Sequence, residues 1–298
     1  MSRFASALED KGMVISVEVT PPRGAEAEPV LKRAEKLRGV VDVIDVTACP
    51  MARLHMSAPV FGSLLRDRLG VDVIVNFTTR DKNVLGIQSD LLGAHALGIR
   101  NVVALRGDRM AIGDFPDSPE IFEVDTVGLL RIIENLNNGR DAKGRPIAGA
   151  TEFFAGSVLN PGNASAAASL RERIMTRMEQ NVKFFITQPL YTREAVYRLS
   201  EALERCGTPH VLLGILPLKN TAMARRVANG LPGVHVPREL LERLEDKSDD
   251  YIREFSLEHS VSIMESAAET RLSGFHIMTA GDFKYAKRLI ETFRRTGC

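Results

Sequence analysis

The chain has 298 residues, a formal net charge of +1, 44% hydrophobic and 26% charged residues, a length that suits one large α/β domain and buries a core without staples. So balanced a charge gives no strong field for nucleic acid or an anionic membrane, and no apolar run approaches the roughly 20 residues of a membrane span. Three cysteines, Cys49, Cys206 and Cys298, are odd in number and far apart, which argues against a disulfide framework, and the absence of a CxxC pair argues against a zinc or iron–sulfur site.

The first residues, MSRFASALEDKG, are polar and amphipathic, unlike a secretory signal, so a cytoplasmic protein is expected. From Met13 onward, short apolar runs alternate with longer segments of helical period. Met13–Val19 predicts a strand running into Val17-Glu18-Val19-Thr20-Pro21-Pro22-Arg23. Glu18 is an acid inside an apolar strand, which is costly unless it is paired or functional. Burial would raise its pKa and suit it to proton donation; a structural carboxylate bonded to a barrel neighbour is the alternative. A helix is expected over Glu28–Leu37 and a second strand over Val41–Thr47. Thr47 can hydrogen-bond a ligand or cap the strand. Cys49 reads as a small buried side chain rather than a nucleophile, and His55 as a loop residue.

After a helix over Ala58–Leu69, the strand Val71–Phe77 runs into Asn76-Phe77-Thr78-Thr79-Arg80-Asp81, a polar cluster for ligand contact or helix capping. A helix over Val84–Leu97 leads to the strand Asn101–Arg106 and the sequence Arg106-Gly107-Asp108. There glycine permits close approach, arginine offers a fork suited to phosphate, and the aspartate can accept from a heterocyclic N–H; a turn closed by an Arg–Asp pair is the alternative. Thr126–Asn137 reads as a helix, Asn137–Pro146 as a surface loop and Glu152–Val158 as the fifth strand. Asn160-Pro161-Gly162-Asn163 then leads into a helix over Ala164–Gln180, whose start suits a phosphate. The strand Lys183–Thr187 is followed by Gln188, which suits reading an amide or a pterin edge; satisfying loop backbone groups is the alternative. A helix over Thr192–Cys206, a strand over His210–Leu216, a helix over Thr221–Asn229 and a short inserted helix within Pro232–Lys247 come next. The helix Asp249–Glu269 precedes the strand Gly274–Thr279, in which His276 reads as a hydrogen-bonded core histidine, and a helix over Asp282–Arg295 ends the series.

Eight βα units in one chain of this size predict a single α/β domain over 1–298, a closed (β/α)8 TIM barrel with its site at the C-terminal ends of the strands. An open doubly wound sheet is the runner-up, but no GxGxxG turn follows the first strand.

The blocks VEVTPPRG, VNFTTRDKNVLGIQSDLLGAHALGIRNVVALRGD, GDFPDSPEIFEVDTVGLL, FITQPLY, GILPL and GFHIMT together resemble the methylenetetrahydrofolate reductases, above all the short bacterial form found in acetogens. The resemblance runs from about Met13 to Arg295. It implies a barrel that holds FAD, with FMN the alternative, and reduces 5,10-methylenetetrahydrofolate to 5-methyltetrahydrofolate by hydride transfer. It implies that Glu18 is the general acid that protonates folate N10. Asp108 would lie near flavin and pterin, and Gln188 would contact folate and nicotinamide. Thr47, Asn76, Arg106, Gly107, Asn160 and Arg177 would line the flavin site, with Arg177 near its phosphates. No metal is implied. The electron donor would be NAD(P)H or an electron-transfer subunit, within an oligomer or complex. Some family positions differ. Asn76 replaces a histidine that often touches flavin, Gly156 a tyrosine and His55 an arginine, while Met223 and Asp282 replace two folate contacts of longer members. These changes keep a second reading open, a folate-binding, non-reducing barrel subunit of a larger redox or methyl-transfer complex.

Overall fold

Alternate residues of Val14-Ile15-Ser16-Val17-Glu18-Val19 enter different cores. Ile15, Val17 and Val19 pack in the large layer shared with the helices, while Val14 joins a separate apolar cluster with Val43, Ile74, Val103, Phe184, Ile186 and Leu212. Side chains of a strand alternate in direction, so the second cluster is the inside of a cylinder. In the computed structural model, which describes residues 2–10, 13–162, 167–207, 209–231 and 233–297, eight parallel strands close a barrel in sequence order. They are β1 (Val14–Val19), β2 (Val43–Val46), β3 (Asp72–Thr78), β4 (Asn101–Leu105), β5 (Phe154–Leu159), β6 (Phe184–Pro189), β7 (His210–Ile215) and β8 (Gly274–Ile277). Each falls on an expected apolar run.

The surrounding helices are α2 (Glu28–Ala34, continued by a 3-10 turn over Glu35–Leu37), α3 (Ala58–Leu69), α4 (Val84–Ala96), α5 (Thr126–Asn137), α6 (Ala167–Met178), α7 (Arg193–Glu204), α8 (Thr221–Gly230), α10 (Asp249–Ala268) and α11 (Phe283–Arg294). Asn83, Asp125, Thr192, Asn220, Ser248 and Asp282 cap six of them, each accepting a backbone N–H that the first turn leaves without a partner. The inserted helix is α9 (Arg238–Leu244). It closes a satellite core in which Leu240 and Leu244 meet Tyr191, Leu218 and Val227. Asn163, the expected helix start at Ala164, Pro232 and Cys298 lie outside the described residues. Among the described residues, no helix is long and apolar enough to cross a membrane.

The polar N-terminal segment has a structural use that its amphipathic pattern only hinted at. It forms α1 (Arg3–Asp10), and its buried Phe4 and Leu8 belong to the inner cluster, so the helix seals the barrel floor. The Phe4 ring meets Phe184 edge-on at 5.0 Å, and Phe154 stacks on Phe184 at 5.6 Å. Gly156 makes room for this triplet, since a Cβ there would stand 2.4 Å from the Phe184 ring. The Phe4 N–H also donates to Asp72 Oδ2 at 2.9 Å. Replacing a buried phenylalanine by alanine costs about 3–5 kcal/mol through lost transfer energy and the cavity left behind. Phe4→Ala is therefore expected to lower the unfolding free energy by about that amount in urea titration. A change below about 1 kcal/mol would show that α1 does not seal the floor.

Candidate active site

With the floor closed by aromatic rings, chemistry is left to the upper layers. Inward parity continues from Val14 to Glu18, from Val43 to Asp45, from Ile74 to Asn76, from Ile186 to Gln188 and from Gly274 to His276. Glu18 is directly opposite Asp45 in the β1–β2 register, and Ser16 is opposite His276 in the β1–β8 register. The ionisable atoms of Glu18, Asp45 and His276 consequently lie within 4.8 Å of one another. Asn76 Nδ2 donates to Asp45 Oδ2 at 3.1 Å. His276 Nδ1 is 3.2 Å from Ser16 Oγ, and its Nε2 is 4.0 Å from Asp45 Oδ2. Asp45 Oδ1 and Asn76 Oδ1 are buried with no hydrogen-bond partner.

This setting changes the acidity of all three groups. Burial pushes the Glu18 carboxyl up to about 7. The Asp45 carboxyl is raised well above its ordinary range, by burial first and the neighbouring Glu18 charge second, against the lowering effect of the Asn76 hydrogen bond. Burial pushes His276 down to about 4, which leaves a neutral imidazole at pH 7. Low-dielectric surroundings disfavour whichever form is charged, so acids go up and histidine goes down. Glu18 keeps partial exposure toward the mouth, whereas Asp45 and His276 are buried.

The other expected site residues occupy a continuous arc of the mouth, from β2 to β6. Thr47 follows β2 and donates to Thr20 Oγ1 at 3.2 Å. Gly107 follows β4 with φ +87°, and a Cβ there would stand 3.0 Å from Thr78 Cβ, so the position demands glycine. The Arg106 guanidinium lies 4.5 Å from the centre of the Phe122 ring, and Asp108 accepts from the Met51 N–H at 2.6 Å. The two side chains thus have separate partners. Arg177 on α6 donates to the Val158 carbonyl at 2.8 Å, and Arg173 donates to the Asn160 carbonyl at 3.0 Å. Burial, and then Arg173, hold the Arg177 guanidinium below its usual pKa. Two close guanidiniums at the end of β5 suit a phosphate group. The β6–β7 register shifts between Ile186 and Pro189, a bulge-like irregularity beside Gln188. Gly214 permits it, because a Cβ there would meet the Thr187 carbonyl oxygen at 2.3 Å.

The loop after β2 carries local strain. Cys49, Met51 and Ala52 have φ of +46°, +56° and +52°, a region that costs non-glycine residues energy and recurs at binding sites. Its clamps are Asp108 and the buried Arg80, whose Nη1 donates to the Cys49 carbonyl at 3.2 Å. Asp114 adds a third tie, accepting from Arg23 at 2.5 Å and from the Leu54 N–H at 2.8 Å. Cys49 is half-buried, and His55 Nδ1 meets the Pro21 carbonyl at 2.7 Å. On the opposite rim Asp282 caps α11 and pairs with Arg253 at 2.6 Å.

The polar arc matches a flavin in chemical type, since it combines hydrogen-bonding groups, a glycine of close approach, paired arginines and the unpartnered Asn76 Oδ1. Known proteins identify the lineage. Residues 3–294 match the family described as methylenetetrahydrofolate reductase. The chain belongs to the methylenetetrahydrofolate reductase family. A Caenorhabditis elegans protein named probable methylenetetrahydrofolate reductase (NADPH) is 24% identical over 275 residues, covering 88% of this chain and 39% of that protein. Methylenetetrahydrofolate reductase 1 of Schizosaccharomyces pombe is 22% identical over 285 residues, covering 93% and 45%. The 5,10-methylenetetrahydrofolate reductase of Escherichia coli K12 is 24% identical over 251 residues, covering 82% and 78%. This chain therefore spans less than half the length of the two eukaryotic relatives. Among solved structures, an uncharacterised Clostridium thermocellum protein that binds two copies of 5-methyl-5,6,7,8-tetrahydrofolic acid superposes with a TM-score of 0.69 at 13% identity, covering 99% of this chain and 100% of that one. Oxaloacetate acetylhydrolase superposes at 0.54 with 8% identity, covering 99% and 87%. These two likenesses support the barrel fold alone.

Asp45 is absent from the residues singled out in the sequence. It carries the same signal as Glu18, an acid within the apolar run Val43-Ile44-Asp45-Val46, but sits two residues short of Thr47, where a search of strand ends does not look.

The acid pair makes stability depend on pH. A carboxyl whose folded pKa is raised from 4.5 to about 7 binds more protons folded than unfolded between those values. Its burial is uncharged at pH 4.5, becomes costly as pH rises, and carries its full cost above 7. Glu18→Gln removes this cost, and His276 contributes alike to both proteins. The variant is expected to be more stable than the parent by roughly 3 kcal/mol at pH 8 and nearly equal at pH 4.5. Urea unfolding at the two pH values checks this, and a pH-independent difference would contradict it.

Proposed function

We propose that the chain is a flavin-dependent methylenetetrahydrofolate reductase that converts 5,10-methylenetetrahydrofolate to 5-methyltetrahydrofolate. The observation that carries this reading is the acid of the family's strand-one motif, Glu18, which faces the barrel mouth with its pKa raised to about 7. A donor of that strength is partly protonated at neutral pH and transfers its proton without a large uphill step. Folate N10 must gain a proton for the five-membered ring to open. Glu18 supplies it, with its O–H bond breaking as the new N–H bond forms.

FAD is the cofactor we assign, and it would supply the hydride. Thr47, Asn76, Arg106, Gly107, Asp108, Asn160 and Arg177 would hold it, with Arg177 on the phosphate side. Gln188, at the irregular end of β6, would hydrogen-bond the pterin. The Pro21-Pro22 exit from β1 stiffens the backbone beside the acid. We assign NAD(P)H or a reduced electron-transfer subunit as the donor, within an oligomer or complex.

Anaerobic stopped-flow with purified, flavin-loaded protein tests the reading by separating the two half-reactions. Glu18→Gln is expected to lower folate reduction by at least 10²-fold, the scale of a lost general acid, while flavin reduction by the donor stays within a few-fold of the parent. Equal loss of both would contradict the role given to Glu18. A colourless protein that refuses added FAD yet binds the folate would favour the non-reducing barrel subunit.

A further inference from the structure

Glu18 has a neighbour that its motif does not include. Asp45 faces it across the β1–β2 register, with ionisable atoms within 4.8 Å. Two carboxyls this close in a dry interior do not both ionise, so the pair retains one proton near neutrality and titrates as a unit. The surroundings decide which carboxyl keeps it. Asn76 Nδ2 donates to Asp45 at 3.1 Å, and His276 Nε2 faces the same carboxylate oxygen at 4.0 Å. His276 Nδ1 is engaged with Ser16 Oγ. If the hydroxyl donates there, the neutral ring carries its proton on Nε2, toward Asp45. Asn76 is then the fixed hydrogen-bond donor on Asp45, and this tautomer turns a second N–H toward it. The remaining inward positions at this level bring no further charge, with Leu105 from β4, Val158 from β5, Gln188 from β6 and Gly214 from β7. The nearby buried cation, Arg80, is directed at the Cys49 carbonyl and at Asp81.

We propose that Asp45 is a positioning residue for Glu18: it holds the negative charge of the pair, so that the single shared proton stands on Glu18 at the mouth. This rests on the reductase reading only for the use made of the proton. When Glu18 gives that proton to a substrate nitrogen, the electron pair of the broken O–H bond stays on Glu18, and two carboxylates face each other. Their repulsion draws a proton from solvent at the mouth back onto Glu18 and restores the pair. The buried, unpartnered Asp45 Oδ1 is the side of the carboxylate directed at neither donor. The pKa of both carboxyls is raised by burial, as expected of a pair that keeps a proton.

Difference infrared spectroscopy of the protonated-carboxyl C=O band tests this on the intact protein without folate. At pH 6 the parent is expected to show a band that titrates near pH 7 and is lost in Glu18→Gln. In Asp45→Asn the Glu18 band is expected to persist but to titrate at least about one pH unit lower, because the adjacent charge is gone. Asp45→Ser gives the same readout should the asparagine variant fold poorly. A band that survives Glu18→Gln and disappears in Asp45→Asn would put the proton on Asp45 and overturn the proposal. So would an unchanged Glu18 midpoint in both Asp45 variants, or a stoichiometric divalent metal whose removal brings out the band. Expected infrared behaviour with no folate reduction would count against the reductase reading and leave the pair standing.

Discussion

Two carboxylates from adjacent strands share the upper barrel interior, and no lysine or arginine among the described residues forms an ion pair with either of them. Burying an unpaired charge is expensive, and the usual resolution is to keep it protonated. The rest of the interior follows from that constraint. Uncharged Asn76 and a neutral His276 surround the pair without neutralising it. The lower half is filled by Phe154, Phe184 and the Phe4 ring of the sealing helix, so apolar rings close the interior from below. Access is left to the mouth.

The mouth is in turn held by contacts that cross between loops. Asp108 and Arg80 clamp the strained loop after β2, and Asp114 joins the loops after β1, β2 and β4. Each tie satisfies backbone or charged groups that would otherwise lack partners so near the barrel. Asp108 therefore has a structural duty in addition to the flavin and folate contact that family resemblance implies. A ligand that draws on its carboxylate competes with the Met51 N–H, so binding and the shape of this loop are linked.

Much of this was legible in the residues. Apolar runs such as Val43–Val46 and Phe184–Pro189 gave the strands because burial on both faces leaves little room for polar alternation. Glu18 was legible for the complementary reason, an acid interrupting such a run. Asp45 breaks the same rule, but it stands inside its strand and not at the strand end, where a barrel places its site. The meeting of Asp45 with Glu18 and His276 depends on barrel register, which links positions 18, 45 and 276 through no local pattern. The sealing role of Phe4 was hidden likewise. Its helix looks like an ordinary amphipathic terminus until the barrel supplies an apolar floor. The irregular end of β6 beside Gln188 and the paired arginines on α6 also arise from packing between elements.

The central claim is that Glu18, held protonated by its dry and negatively charged surroundings, delivers a proton to the folate at neutral pH. The most direct measurement is the pH dependence of single-turnover folate reduction by the pre-reduced, flavin-loaded protein. The account predicts a rate that is level below about pH 6 and falls above about pH 7 with the loss of one proton, since the Glu18 carboxyl sits at about 7. A rate unchanged from pH 6 to pH 9 would contradict it.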